Sequence, residues 1–428
     1  MPVAAGESPS PVGQLCRVWQ DLAVAKRNIG EKVFLVAFQI IRNGSPGFTQ
    51  LYLEFHFSRK RGTEELQTTH TIILEDSRKL GALSDGSIDL VVTSPPYPMI
   101  EMWDGVFAKL NPEIGRFLEN GDYRNAFEAM HKILDEVWHE LFRVMKSGAF
   151  ACINIGDATR TVKKRFQLFA NHSRIQQKCF EIGFDVLPVI LWRKQTNAPN
   201  KFMGSGMLPA GAYVTLEHEY ILIFRKGGKR VFASTEDKHK RRQSSYFWEE
   251  RNTWFSDLWD FKGTRQDINQ NNTQLRNRSA AYPFLLPFRL INMYSVFEDT
   301  VLDPFLGTGT TTLAAIAAGR NSVGYEMDKS FAATIKNRID QELPNLNHYN
   351  VQRLKNHISF TKERAREKGA LKYINNNYGF PVMTRQETEL KLAFVQAVEE
   401  VGNNIFKVCY SENEYLKNLN LDELILKG

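Results

Sequence analysis

The sequence predicts an α/β protein: a mostly parallel sheet with helices on both faces. Three observations predict it. Short apolar, β-branched runs alternate with stretches of helical spacing from about residue 69 to 345, which is the pattern of βαβ units. One of those runs, IDLVV (Ile88–Val92), is apolar throughout, as a strand covered on both faces must be. Two strands end in special loops, TSPPYP after Val92 and PFLGTGT after Asp303. Loops at the carboxyl ends of parallel strands are where such sheets hold ligands.

The elements follow in order. Before residue 69, VFLVAFQII and LYLEFHF read as two strands around the turn RNGSPG. HTIILED, His70 to Asp76, is a strand ending in an acid, and IDLVVTSPPY is the next strand. From Tyr123 to Met145, apolar residues fall at Phe127, Met130, Leu134, Val137, Trp138, Leu141 and Met145, along one helical face. GAFACINIGD, ending at Asp157, is a strand; residues from about 165 to 182 are expected to be helical; FDVLPVILWRK and HEYILIFRKGG are strands. PFLLPFRLINMYS is a helix, TVLDPF a strand, TTLAAIAAG a helix and SVGYE a strand, with a further helix from Asp328. The divisions expected are an N-terminal extension (1–68), a first catalytic half (69–228), a polar recognition region (229–277), a second half (278–345) and a helical C-terminal extension (346–428).

The chain has 428 residues, 43% hydrophobic and 24% charged, an ordinary globular composition. It contains no run of 18 apolar residues, so no membrane-spanning helix is expected. MPVAAGESPS lacks the basic and apolar regions of a secretory signal. Cys16, Cys152, Cys179 and Cys409 form no C-x-x-C pair, which indicates neither a zinc site nor a disulfide framework. A cytoplasmic location fits. The net charge of +7 and a pI near 9.0 are compatible with a polyanionic partner.

The loop after Asp303 carries Pro304, Phe305, Gly307, Gly309 and Thr310, then a small-residue helix and a strand ending at Glu326. Glycines let the backbone approach a ligand, and an acid closing the next strand can accept bonds from ribose hydroxyls; this is the nucleoside-binding arrangement of a Rossmann-like unit. Thr312 stands where a dinucleotide fingerprint has its third glycine, and no G-x-x-x-x-G-K-[ST] phosphate loop occurs. Asp303 either contacts the ligand's amino group through water or holds the turn. Asp76 either contacts an adenine amino group or caps a turn.

TSPPY together with DPFLGTGTTT resembles the amino-group DNA methyltransferases that use S-adenosyl-L-methionine. The PPY loop precedes the glycine loop, which is the order of the circularly permuted β class. The resemblance runs from about Thr69 to Arg338. It extends to LWRKQTNAP, VTLEHEYILIFRKG and SAAYPFLLPFRLI, and is closest to modification methylases of type II restriction systems, the BamHI methylase among them. It implies a Rossmann-like methyltransferase fold, S-adenosyl-L-methionine as cofactor and duplex DNA as partner. It also implies a prokaryotic, nucleoid-associated setting, a separately encoded restriction endonuclease, and an assembly that could be a homodimer.

An exocyclic amine is a poor nucleophile because its lone pair is delocalised into the ring. The Ser94 oxygen and the Pro95 carbonyl are candidate acceptors for its hydrogens, held rigid by Pro95 and Pro96. Tyr97 can stack on a base flipped from the duplex. By resemblance, a serine at the first position is commoner in N4-cytosine enzymes and an acid or amide in N6-adenine enzymes, so Ser94 favours cytosine N4, with adenine N6 as the alternative. No cysteine follows a proline, which speaks against carbon-5 methylation. RNA or protein-glutamine methylation, and DNA binding without catalysis, are competing readings. The region 229–277 interleaves Lys238, Lys240, Arg241 and Arg242 with aromatics such as Trp248, and DNA recognition is expected there. Trp103, Asp104, Trp192 and Lys194 either line the target pocket or are ordinary packing and strand-end residues. His218 reads as structural and Asp328 as a helix N-cap.

Overall fold

The computed structural model describes residues 66–162, 165–194, 203–263 and 282–411. The chain divides into units of residues 1–64 and 65–428. The first, with the two strands expected in it, lies outside the described residues, and all that follows concerns the second.

Ten strands form one sheet: β1 (Gln67–Ile73), β2 (Ile88–Thr93), β3 (Met145–Ile155), β4 (Phe184–Arg193), β5 (His218–Lys226), β6 (Leu258–Asp260), β7 (Thr300–Asp303), β8 (Asn321–Tyr325), β9 (Val395–Gly402) and β10 (Ile405–Tyr410). Their order across the sheet is β6-β4-β5-β3-β2-β7-β8-β1-β10-β9. The run β3-β2-β7-β8-β1 is parallel, and β5 lies antiparallel between β3 and β4. This is the Rossmann-like fold that the alternation of periods predicts.

The central strands bury both faces, as their unbroken apolar runs require. In β2, Leu90 and Val92 enter one core while Val91 enters the other, because successive side chains of a strand point oppositely. After β2 come two short helices, α1 (Asp104–Leu110) and α2 (Pro112–Glu119). One core is closed by the longer α3 (Tyr123–Val144), which buries Met130, Leu134, Val137, Trp138 and Leu141. The other is closed by α7 (Leu285–Tyr294) and α8 (Thr310–Ala318). In α8 every residue is buried; its alanines let it lie close on the sheet. Pro188 sits inside β4, and the pairing register slips between Leu187 and Ile190, as a residue with no N–H to donate demands.

Three expectations need correction. The stretch 165–182 is not one helix. Arg165–Phe169 pairs with Ala158–Val162 as a hairpin, and only Asn171–Ile182 (α4) is helical. Alternating polar and apolar residues in RFQLF suit a two-faced ribbon better than a helix. The C-terminal region is not wholly helical either. The helix α9 (Phe331–Lys368) ends at Gly369, and β9 and β10 then extend the sheet beside β1. Val395–Gly402 carries enough charge to mask its strand pattern, since it is an exposed edge. Lastly, β1 ends at Ile73 rather than at Asp76.

The region 229–277 does not form a separate body in its described part. Helix α5 (Thr235–Gln243) lies at the foot of the sheet, where the parallel strands begin. There Arg230 binds Asp299 at 2.6 Å, Lys240 pairs with Glu298, and Ser244 Oγ accepts from Phe297 N at 2.8 Å, all just ahead of β7. Helix α6 (Trp248–Trp254) then runs along α9, with Glu250 and Arg353 paired in the interior at 2.6 Å. His357, fully buried and stacked on Phe247, bonds Glu249 at 2.8 Å. The chain returns to the opposite end of the sheet through β6, which pairs with the end of β4.

Candidate active site

The two loops singled out by the sequence lie side by side. β2 and β7 are parallel neighbours, so their carboxyl ends, and the loops that follow, emerge on one face. Thr93 Oγ1 donates to Asp303 Oδ1 at 2.6 Å and joins them. Asp303 also accepts from Phe305 N at 3.0 Å, Thr311 Oγ1 at 2.5 Å and Tyr282 OH at 3.2 Å. Burial raises its carboxyl above the usual range, and those donors pull it back. A carboxylate has about four acceptor positions, and the protein fills four. Asp303 therefore holds the turn.

Gly307 and Gly309 both have positive φ, +54° and +84°, which a β-carbon disfavours. A β-carbon on Gly309 would come within 3.1 Å of Ile335. One on Gly307 would meet nothing nearer than 4.0 Å, so that side of the turn is open for a ligand. Within the loop Pro304, Leu306, Thr308 and Gly309 are buried, while Phe305 and Gly307 reach the surface. Glu326 closes β8 beside it. Its carboxylate accepts from Gly307 N and Asp328 N, each at 2.8 Å, and burial raises its pKa. Two of its acceptor positions remain for hydroxyl donors. Thr310 begins α8, and Arg338 clamps the loop by donating to Thr308 O at 2.9 Å and Thr310 Oγ1 at 3.2 Å.

Across the gap, Ser94 and Tyr97 are partly exposed, Pro95 is buried and Pro96 half-buried. Ser94 Oγ has two partners at 3.1 Å, Tyr97 OH and the Asn154 carbonyl. Its single hydrogen can serve only one, which leaves lone-pair capacity for a substrate amine. Tyr97 OH donates to Glu219 Oε2 at 3.0 Å and accepts from Asn154 Nδ2 at 2.8 Å. Asn154 Nδ2 also donates to Glu219, and Lys194 pairs with the other Glu219 oxygen. Burial, then the Glu219 charge, holds the Tyr97 pKa well above its ordinary value, so it stays a neutral phenol. Its ring is pinned at the hydroxyl end and lies against Gly156, where a β-carbon would approach it within 2.9 Å. Met99, two residues on, has φ of 66°. That strained backbone is held by Arg160, which donates to Met99 O at 2.6 Å.

The structure thus brings Ser94, Pro95, Pro96, Tyr97, Asp303 to Gly309 and Glu326 to one face. Asp76 follows the end of β1, whose Ile73 O accepts from Glu326 N at 2.9 Å; its carboxylate accepts from Arg78 N at 2.9 Å and pairs with the Arg78 side chain. Trp192 is buried and donates to Phe261 O at 3.0 Å, so it supports the face instead of lining it. Asp104 pairs with Arg160 at 2.6 Å.

The basic residues expected to bind DNA are not brought to this face. Lys240 pairs with Glu298 and Arg242 with Glu389 at the foot, Arg241 lies over Phe232, and exposed Lys238 is on the same short helix. Trp248 stacks on Phe360. Phe360 lies 22 residues beyond Arg338 on α9, roughly 33 Å at 1.5 Å per residue. A run of like charges in sequence carried no information about the acids it meets in space. The remainder of the expected recognition region, 264–277, lies outside the described residues. Sequence reasoning missed Asn154, Glu219 and Tyr282. The signal for Glu219 is an acid beside His218 at the head of an apolar strand.

The chain is similar to known DNA methylases. A DNA methylase family model for N6 and N4 amino-methyltransferases matches residues 88–337. The type II methyltransferase M.MthZI of Methanothermobacter thermautotrophicus is 51% identical over 349 residues, covering 81% of this chain and 96% of that protein. M.MjaI of Methanocaldococcus jannaschii is 49% identical over 286 residues, covering 64% of this chain and 92% of its own. Among solved structures, TTHA0409 of Thermus thermophilus, complexed with S-adenosyl-L-methionine, is 32% identical. It covers 64% of this chain and 96% of its own, with a TM-score of 0.49. With the family model spanning more than half of the sequence and a relative half identical along nearly its full length, the chain belongs to the N6/N4 DNA methylase family.

Proposed function

We propose that the protein transfers a methyl group from S-adenosyl-L-methionine to the exocyclic N4 of cytosine in duplex DNA, as the modification enzyme of a restriction system. The observation that carries this is the Thr93–Asp303 bond, which fixes the Ser94–Tyr97 loop against the glycine loop on one sheet face. The open side of Gly307 and the spare acceptor capacity of buried Glu326 fit an adenosine portion. Gly307, Phe305 and Glu326 would hold it, and the donor would supply an electrophilic methyl on sulfonium sulfur.

The chain's own residues do the rest. Ser94 Oγ and the Pro95 carbonyl accept the amine hydrogens and draw its lone pair out of conjugation. Tyr97, its hydroxyl anchored by Asn154 and Glu219, offers a fixed ring for the flipped base. The Lys194–Glu219 pair fixes that anchor in place. Neutral Ser94 supports cytosine over adenine by resemblance. The names of the relatives, type II methyltransferases, support the restriction-modification setting.

Digestion of genomic DNA from cells expressing the protein, followed by nucleoside mass spectrometry, tests this. N4-methylcytosine is expected. N6-methyladenine would replace the base and keep the mechanism. Absence of both, from a protein that binds the donor, would end the reading.

A further inference from the structure

A charge-free ribbon stands on the catalytic face. The chain leaves β4 after Lys194 and re-enters β5 at His218, and these two ends meet where Lys194 pairs with Glu219. Between them Met203–Gly204 pairs with Ala212–Tyr213. No charged residue occurs from Met203 to Leu216. At its tip Met207 is 88% and Leu208 71% exposed, and Val214 beside the ribbon is 85% exposed. An apolar tip held in water by a chain with net positive charge is unfavourable unless something covers it in function.

The tip is also built to be stiff. Ser205 N donates to Gly211 O at 2.9 Å and Ser205 Oγ to Leu208 O at 2.6 Å. Gly204 has φ of 74°, and a β-carbon there would lie 2.1 Å from Gly211 O. Such a turn presents its two apolar side chains outward at low entropy. The ribbon is coupled to the loop that carries Tyr97. Tyr213 stacks on Phe166 of the neighbouring hairpin at 4.3 Å. Arg160 of that hairpin bonds Met99 O and Asp104, in the stretch just after Tyr97.

We propose that Met207 and Leu208 form a wedge that enters the base stack beside the target and fills the space the flipped base leaves. This rests on the proposed DNA-methylating function. Extrusion of a base requires the stack to be broken and the gap occupied, and apolar side chains inserted between base steps do both. A phosphate-binding tip would carry Lys or Arg, and residues 203–216 carry neither.

The test uses the full-length protein and a duplex containing its mapped site, with 2-aminopurine next to the target base. Wild type should raise the fluorescence as the base leaves the stack. The double variant Met207→Ala, Leu208→Ala should lose most of that rise and lower kcat/KM by roughly 10- to 100-fold on matched duplex. Donor binding by calorimetry and the thermal midpoint should hold, since both side chains are solvent-exposed. A mismatch at the target lowers the work of extrusion, so it should bring the variant within about 3-fold of wild type. Wild-type rate and fluorescence in the variant would overturn the wedge, as would a loss that the mismatch does not rescue. A wild type that methylates no duplex would remove the functional reading and the wedge with it.

Discussion

At the scale of single residues, the site separates groups that touch the reaction from groups that hold them. Ser94→Ala removes one acceptor and leaves Pro95, Pro96 and the Tyr97 anchor through Glu219 and Asn154 intact. Base capture should persist, while kcat falls by about 10- to 1000-fold, because the lost bond matters chiefly as charge develops on the amine. Single-turnover methylation beside DNA anisotropy measures the two separately; a full-rate variant would remove the serine's role. Glu326 is a different case. Its two oxygens serve the Gly307 and Asp328 N–H groups as well as any ribose. Glu326→Gln keeps one acceptor oxygen and turns an amide donor toward the other N–H. Donor affinity should fall by roughly 1–3 kcal/mol; unchanged calorimetric affinity in a folded variant would exclude Glu326 from the site. Both residues stand out in the sequence through local features: a strand running into Pro-Pro at Ser94, and an acid closing the strand that follows the glycine turn at Glu326. Asn154 and Glu219 do not, since their roles arise from the antiparallel pairing of β3 with β5, a contact between segments 65 residues apart.

Elements tell the same story at longer range. The buried strands and the amphipathic α3 announced themselves by period and composition, and the structure has them within a few residues. The hairpin at 158–169 and the edge strand β9 did not, because short or solvent-facing strands lack an apolar signature. Helix α5 shows what a run of like charges leaves unsaid. Its basic run reads as a nucleic-acid patch, yet Lys240 meets Glu298 and Arg242 meets Glu389. Replacing Lys240, Arg241 and Arg242 together by Ala should therefore leave the salt dependence of DNA binding unchanged. Stability should fall by about 1–2 kcal/mol through lost surface pairs, seen as a lower thermal midpoint. A salt slope flattened by about 2–3 would instead return these residues to the DNA interface, at roughly 0.9 per phosphate contact.

The whole molecule carries a pH dependence set by its interior. His70 on β1 lies between Thr68 and Ser322, each at 2.8 Å, and His131 on α3 bonds Asn171 at 3.0 Å. Both are fully buried, and burial lowers each pKa from 6.5 to about 3. A depressed folded-state value stabilises above the unfolded value and is lost as pH falls. Here the unfolded chain takes up protons near 6.5 that the folded protein refuses until about 3, so stability declines as pH is lowered from about 7. The buried carboxyls of Asp303 and Glu326 act with opposite sign. Their raised values give stability that is present at low pH and lost as pH rises through the folded value, so they offset the decline only toward the carboxylate range. Between about pH 7.5 and 5.5 the imidazoles dominate, and two of them weaken folding by on the order of 2–3 kcal/mol. Thermal midpoints measured across that window should drop by roughly 2–4 °C. His131→Gln keeps an amide partner for Asn171 without a titrating group, and should lose about half of the drop. Imidazole resonances of His70 and His131 that titrate near 6.5 in the folded protein would contradict the burial on which this rests.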